Sequence, residues 1–454
     1  MRWATVFACA ATLFFLYFFG LTRTGMLGPD EPRYAAIGRT MADTGDWVTP
    51  RLWERAWFEK PPLLYWMTAV GFKVGFDQDL APRVPVALAS VAFLIYFFVV
   101  LRREFGEQAA FYSTAILSTS AGWLAYSHVA VTDLPLTAAL AVSMLTLLRG
   151  PLKTSESLLS GAMLGLAVLA KGLVPLALFP PAVWFLRKQL KGLLIIVATA
   201  AVVAAPWYAV VIARNGSSFL EEFFVRQHFG RLASAALGHQ QPFWFYLPVL
   251  LAGLFPWTPF LMLLFQRHAY KDRRAVFLLA WAGWVVVFFS VFLNKLPGYL
   301  LPALPPFAAL LGITIASAKE RSIRLLWSMS LSAAMLCFLP SLEDLLPGAL
   351  LHGLSRTAYQ VPPFWIIPAF AAGLLCSALA RVGRRKMAIS LIALGICLAV
   401  IRLVWQVYPA LDRMDSARDL WLSHSDTITC VPESDRARRY GLEYYANHPI
   451  PDCN

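Results

Sequence analysis

TRTGMLGPDEPRYAAIGRTMADTGDWVTPRLWERAWFEKPPLL (residues 22–64) lies between two long apolar runs, and its reading decides what kind of molecule this is. It places Asp30, Glu31, Arg33, Glu59 and Lys60 close in sequence to segments of hydrocarbon length. Charges are costly beside hydrocarbon, so their density here marks a candidate site rather than a plain connector. For any one of these residues alone, a solvated loop position is an equal explanation. The weight therefore falls on what the other loops of the same side supply.

The flanking runs belong to a chain of 454 residues, 59% hydrophobic and 14% charged. That composition is typical of a polytopic membrane protein. A transmembrane helix needs roughly 20 apolar residues to cross a ~30 Å core. On that rule the fold class is all-α and polytopic, with about 13 transmembrane helices. They fall near residues 3–21, 82–101, 109–127, 133–149, 157–170, 172–187, 192–212, 243–266, 275–293, 299–317, 322–340, 362–380 and 387–407. The first run reads as a span, not a cleaved leader: it is long for a signal-peptide core, only Arg2 flanks it, and no small-x-small site follows.

The net charge of +13 is a topology signal and not a nucleic-acid footprint, because the cations sit in short connectors. Arg102/Arg103, Arg149/Lys153, Arg187/Lys188/Lys191, Arg267/Lys271/Arg273/Arg274, Lys319/Arg321/Arg324 and Arg381/Arg384/Arg385/Lys386 occupy alternate loops. The positive-inside bias makes those loops cytoplasmic, with the N-terminus inside and the tail from about Tyr408 outside. The remaining connectors face out and carry Asp30, Glu31, Arg33, Glu59, Lys60, Lys171, His228, Arg231 and Lys295. Residues 1–407 thus form a transmembrane domain with a first outer loop at 22–81, and 408–454 a short outer C-terminal segment.

Within that first loop, Asp30 is placed to cap a helix from about residue 31 to 42, with Pro32 tolerated in its first turn. Tyr34, Ile37 and Met41 recur at helical spacing as its apolar stripe. A second apolar, aromatic-rich segment at 61–76 is too short to span, so both read as helices lying along the interface. Trp47, Trp53, Trp57 and Trp66 suit the headgroup zone as anchors. Asp133 reads as a helix N-cap. The absence of an internal repeat counts against a secondary transporter.

An outer-face site has no access to ATP or nucleotide sugars, so an enzyme there needs a donor delivered in the membrane; a lipid-linked phosphosugar meets that need. Breaking such a donor calls for positive charge on the departing phosphate and a base for the acceptor. Arg33, Lys60 and Lys171 fit the first requirement, Asp30 the second. Lys171, in LAVLAKGLVPLAL, has no partner nearby in sequence, so it is matched by an anion or snorkels to the interface. Cys9, Cys337, Cys376 and Cys397 sit in apolar runs as small hydrophobes. Cys430 and Cys453, in the polar tail, either pair in an oxidising compartment or remain thiols.

These residues carry a resemblance. DEPRYAAIGRTMADTGDWVTPRL…FEKPPLLYWMTAVGF…APRVPVALAS, with LAKG at 169–172, FFVRQHFGRL at 223–232 and NKLPGYLLPALPP at 294–306, resembles the bacterial aminoarabinose transferases and related protein mannosyltransferases, membrane glycosyltransferases of the GT-C class. The matches run in order through roughly the first two thirds of the chain; the long signature is specific, whereas LAKG alone is weak. The resemblance implies a GT-C fold in a bacterial inner membrane, an undecaprenyl-type (polyprenyl) phosphate-sugar donor, and transfer at the periplasmic face to lipid A, another envelope glycan or a protein. It puts the catalytic carboxylate on Asp30 and the donor phosphate on Arg33, Lys60 and Lys171. Glu31, Glu59, Tyr34, His228, Arg231, Lys295 and Tyr299 are the expected substrate contacts. No cofactor is required by this reading. Glu59 and His228 together are a candidate for a divalent metal, but two ligands do not make a site, and no metal is assigned. The family's aminoarabinose transferases carry a larger soluble domain after the last span than the segment that follows Val407 here.

The alternative is a flippase or transporter of a polyprenyl-linked sugar. It would use the same cations, need no base at Asp30, and hold its charges near mid-membrane.

Overall fold

In a computed structural model of the chain, residues 2–223, 240–266, 270–319, 321–342, 363–432 and 435–453 are described. They are almost entirely helical; a hairpin of two-residue strands, Arg51–Leu52 with Arg55–Ala56, is the one named sheet among them. This is what the apolar runs require, since in lipid a helix satisfies its own backbone. Six described helices are long and apolar enough to cross a membrane: Leu80–Phe105, Leu190–Phe223, Arg273–Val291, Pro297–Ser317, Pro363–Arg381 and Arg385–Gln406. The pair Phe243–Gly253 and Thr258–Phe265, bent by 111°, passes the same test only if the two are taken together, as a broken span or a re-entrant loop. The chain is a multi-pass membrane protein.

The other expected spans fall on shorter or broken helices. The run at 109–127 divides into Glu107–Ser118 and Ala121–Ser127, and that at 172–187 into Val174–Ala177 and Pro180–Phe185. Pro175, Pro180 and Pro181 explain the second break, because each removes a backbone donor. The count of thirteen therefore rests on sequence alone.

Burial sorts the helices into layers. The apolar window of Pro297–Ser317 is 78% buried, that of Pro363–Arg381 only 22%, so the first is central and the second peripheral. The central helix lies against Glu107–Ser118 at Gly312, where an added Cβ would stand 2.4 Å from the Ser113 nitrogen. Small residues at such crossings let backbones approach. Peripheral apolar side chains such as Ile95, Val99, Val202 and Leu394 point outward, as a lipid-facing surface requires.

The first loop folds into two helices, Asp30–Thr44 and Leu63–Lys73, close to the expected 31–42 and 61–76. Its anchor is Glu31, 0% exposed, paired with the buried Arg83 through two 2.7 Å bonds. Arg83 also donates to the carbonyl oxygens of Leu21, Thr24 and Gly25, and Glu31 accepts from the backbone N–H of Leu27 and Ala130. A buried ion pair is tolerable only when satisfied this fully. It pins the chain before the helix, the start of the Leu80–Phe105 helix and the turn at Ala130 to one point.

The tail forms three short helices, Tyr408–Met414, Arg418–His424 and Arg436–Ala446, and folds back over the first loop. Asp412 and Asp415 accept from the backbone of Gly25 and Gly28, and Tyr445 from Met26. Arg418 bridges Asp412 and Asp79, and Tyr444 donates to Gln78. Cys430 and Cys453, left open by the sequence, are joined in a disulfide that encloses the last helix.

Candidate functional site

Asp30 opens its helix rather than capping it. Pro29 occupies the cap position without a side-chain bond, and the Asp30 carboxylate turns instead to Arg33, one helical step on. The two residues differ sharply in access: the Asp30 side chain is 46% exposed, that of Arg33 4%. Glu59, from the loop after the hairpin, holds Arg33 Nη2 at 3.0 Å and Lys60 Nζ at 3.3 Å. Three rings surround the guanidinium: Tyr34 and Trp57 at 5.4 Å, and Tyr440 of the tail at 5.3 Å.

This environment keeps Arg33 charged. Burial alone would lower its pKa, but Glu59, Tyr34 and Asp30 outweigh that and hold it above the ordinary value. Tyr34 and Tyr65 are pushed well up by burial and by Glu59, so both stay neutral hydrogen-bonding groups. Several of these polar atoms are buried without a hydrogen-bond partner among the described residues: Arg33 Nε, Tyr65 OH and Trp57 Nε1. Orphaned donors are expensive in a closed interior, and their concentration beside a fixed cation suits an incoming anion.

A second cluster lies at the end of the Thr154–Lys171 helix. Lys171 Nζ donates to Asp133 at 2.7 Å and sits 4.6 Å from the Tyr299 ring centre. The expected N-cap at Asp133 is thus corrected: Asp133 begins the Asp133–Thr146 helix but spends its carboxylate on the lysine. Nor does Lys171 lack a partner, as its local sequence suggested. Gly298 is needed here, since an added Cβ would stand 2.9 Å from Asp133 and 2.7 Å from Tyr126 OH. Tyr126 OH and the Asp133 carboxylate thus meet on either side of the same glycine.

Other expected contacts lie elsewhere. Glu31 is closed into its pair with Arg83 and has no exposed surface to offer a substrate. Lys295 is buried, its amine donating to the carbonyls of Gln241 (2.9 Å) and Phe292; burial pushes its pKa down. In this structure the polar atoms of both are taken up by internal bonds. His228 and Arg231 lie outside the described residues, so the Glu59–His228 pairing does too. Among the described residues no group of three His, Cys, Asp or Glu side chains converges as metal ligands.

Sequence reasoning missed Asp133 and Arg83 as partners, and Tyr440 entirely. The first two had a signal: each is a lone charge at the head of an apolar run, which must find its counter-charge in space. Tyr440, in a polar tail, had none.

The family model described as dolichyl-phosphate-mannose-protein mannosyltransferase matches residues 59–213. An undecaprenyl phosphate-alpha-4-amino-4-deoxy-L-arabinose arabinosyl transferase of Erwinia tasmaniensis is 30% identical over 374 residues, covering 77% of this chain and 66% of the relative. A second such transferase, from Pseudomonas fluorescens, is 33% identical over 349 residues, covering 71% and 59%. The chain therefore spans less than two thirds of the length of these relatives. Among solved structures, ArnT of Cupriavidus metallidurans bound to undecaprenyl phosphate superimposes with a TM-score of 0.79 at 26% identity, covering 99% of this chain and 85% of that one.

Proposed function

We propose, from the premise that this chain is a GT-C-type membrane protein resembling the aminoarabinose transferases, that it transfers a sugar from a polyprenyl phosphate to an acceptor at the outer face of a bacterial inner membrane. The observation that carries this reading is the pairing of a half-exposed Asp30 with a buried, permanently charged Arg33 whose Nε has no partner. Together they supply a base that solvent can reach and a cation with a buried N–H still unused among the described residues.

In the proposed reaction the donor phosphate takes the place of carboxylate at Arg33, aided by Lys60 and Lys171, and releases Asp30 from its ion pair. An acceptor hydroxyl or phosphate oxygen then attacks the anomeric carbon. As the new C–O bond forms, the bond from that carbon to the phosphate oxygen breaks, and a hydroxyl acceptor loses its proton to Asp30. Polyprenyl phosphate leaves with the bonding pair, its charge held by the three cations. Attack opposite the leaving group inverts the anomeric centre. Tyr34, Glu59 and Tyr299 border the space where the sugar would sit. No step uses a metal or another cofactor.

Topology follows the same proposal. Basic clusters in alternate loops support a cytoplasmic N-terminus, with the site and tail in the periplasm. The Cys430–Cys453 disulfide supports that placement, because such bonds persist in oxidising compartments. Residues 1–407 then form the catalytic membrane domain and 408–454 a periplasmic cap. Lipid A, another envelope glycan and a secreted protein are the acceptor candidates. The ArnT and arabinosyl transferase relatives favour undecaprenyl phosphate as the carrier.

Expression in a Gram-negative host, with and without Asp30→Asn, tests the reading through mass spectrometry of envelope lipids and glycoconjugates. A sugar-sized increment that requires Asp30 is expected, and it identifies sugar class and acceptor together. An increment independent of Asp30, or a build-up of unconsumed polyprenyl-linked sugar alone, would favour a flippase instead.

A further inference from the structure

Both carboxylates that bind Arg33, Asp30 and Glu59, do so at the same nitrogen, Nη2. Once the donor phosphate displaces Asp30 from that nitrogen, the single bond left to Glu59 does not fix the guanidinium plane by itself. Nε adds no hydrogen bond to its orientation among the described residues. What remains to set the plane is the ring contacts. Tyr34 is the neighbouring residue on the same helix and Trp57 comes from the same loop, whereas Tyr440 reaches in from the tail.

The tail is built to hold that ring still. Tyr440 sits on the Arg436–Ala446 helix, which packs on the Asp30–Thr44 helix and lies inside the loop closed by Cys430–Cys453. At the helix start Asp435 accepts from the Arg438 N–H, and at its far end Tyr444 and Tyr445 bond to Gln78 and Asp79 beneath. Arg439 joins the helix to Asp452, next to the disulfide. Arg436 lies 6.0 Å from the same Tyr440 ring, so the ring stands near two guanidinium groups, one of them Arg33.

We propose that Tyr440 is a positioning residue of the site: the disulfide-closed tail helix presents its ring to the Arg33 guanidinium and fixes the plane in which Arg33 meets the donor phosphate. This rests on the reading of Arg33 as a phosphate ligand. The tail is then part of the donor site and not only a cover. The interaction uses the ring face and not the hydroxyl, so phenylalanine replaces tyrosine and an aliphatic side chain does not.

The test is binding of undecaprenyl phosphate to the detergent-purified full chain, measured by titration for wild type, Tyr440→Phe and Tyr440→Leu. Tyr440→Phe should bind as wild type does, and Tyr440→Leu on the order of tenfold more weakly. In an Arg33→Lys background Tyr440→Leu should add little, since the planar group it orients is gone. Should Tyr440→Leu fail to fold, Tyr440→Met, similar in bulk and more pliant, carries the same expectation. Wild-type affinity in the aliphatic variant, equal losses in the Phe and Leu variants, or an undiminished loss in the Arg33→Lys background would each overturn the proposal. Failure of the wild-type chain to bind undecaprenyl phosphate at all would instead overturn the donor reading beneath it.

Discussion

Asp30 and Glu31 are adjacent carboxylates in one helical turn, each paired with an arginine, and they do opposite jobs. Glu31 faces inward: it is fully buried, and its two oxygens take bonds from Arg83, Leu27 and Ala130. Asp30 faces the open side, half exposed, paired to an arginine that still has a buried donor unused. The first arrangement is complete and resists change; the second is incomplete, which suits the ligand-binding role proposed for it. Successive residues of a helix point about 100° apart, so a DE pair at the head of one divides naturally between scaffold and chemistry.

The largest effect expected on this contrast is at the closed pair. Glu31→Gln removes the charge that compensates Arg83, at a cost of about 3–5 kcal/mol. Thermal unfolding of the solubilised protein should fall steeply, and a melting point near that of wild type would place Glu31 outside the scaffold. Asp30→Asn should do the reverse: unfolding nearly unchanged, transfer lower by on the order of 10²-fold or more.

Lys171→Ala comes next. It strands Asp133 and removes a phosphate contact, so donor affinity should drop about tenfold or more. Unchanged affinity would reduce Lys171 to a structural partner of Asp133. The smallest effect is expected at Asp415, where the tail meets Gly28. Burial there raises the carboxyl above its ordinary pKa, with Asp435 and Glu31 adding to the shift. A raised folded-state value means the stability tied to this group is present below the unfolded pKa and lost as pH rises through the folded one. At neutral pH Asp415→Asn should therefore be neutral or stabilising by under about 1 kcal/mol. Destabilisation seen in pH-dependent melting would show that the charge itself holds the tail.

Much of this was legible in the sequence because it depends on local patterns. Apolar runs of span length, cations in alternate loops, and the two helices of the first loop all follow from composition and spacing. Asp30, Arg33, Glu59 and Lys60 do converge, since helix geometry and one short loop suffice to bring them together. Partnership across the fold was not legible. Glu31 with Arg83, Lys171 with Asp133 and Arg33 with Tyr440 are contacts between distant segments, and spacing carries no information about them. Local rules also misled where the tertiary setting prevailed. Asp30 had the chemistry of a cap and found a cation one turn on; Lys295 stands within a family motif and donates its amine to two backbone carbonyls.

The most direct test of the central claim separates binding from chemistry at Asp30. Purified wild-type and Asp30→Asn chains are titrated with undecaprenyl phosphate, then given a polyprenyl-phosphate sugar and the acceptor identified from the envelope. Affinity for the phosphate equal to or above that of wild type, with transfer reduced at least about 10²-fold in the variant, is the predicted result. Near-normal transfer by Asp30→Asn would contradict the account.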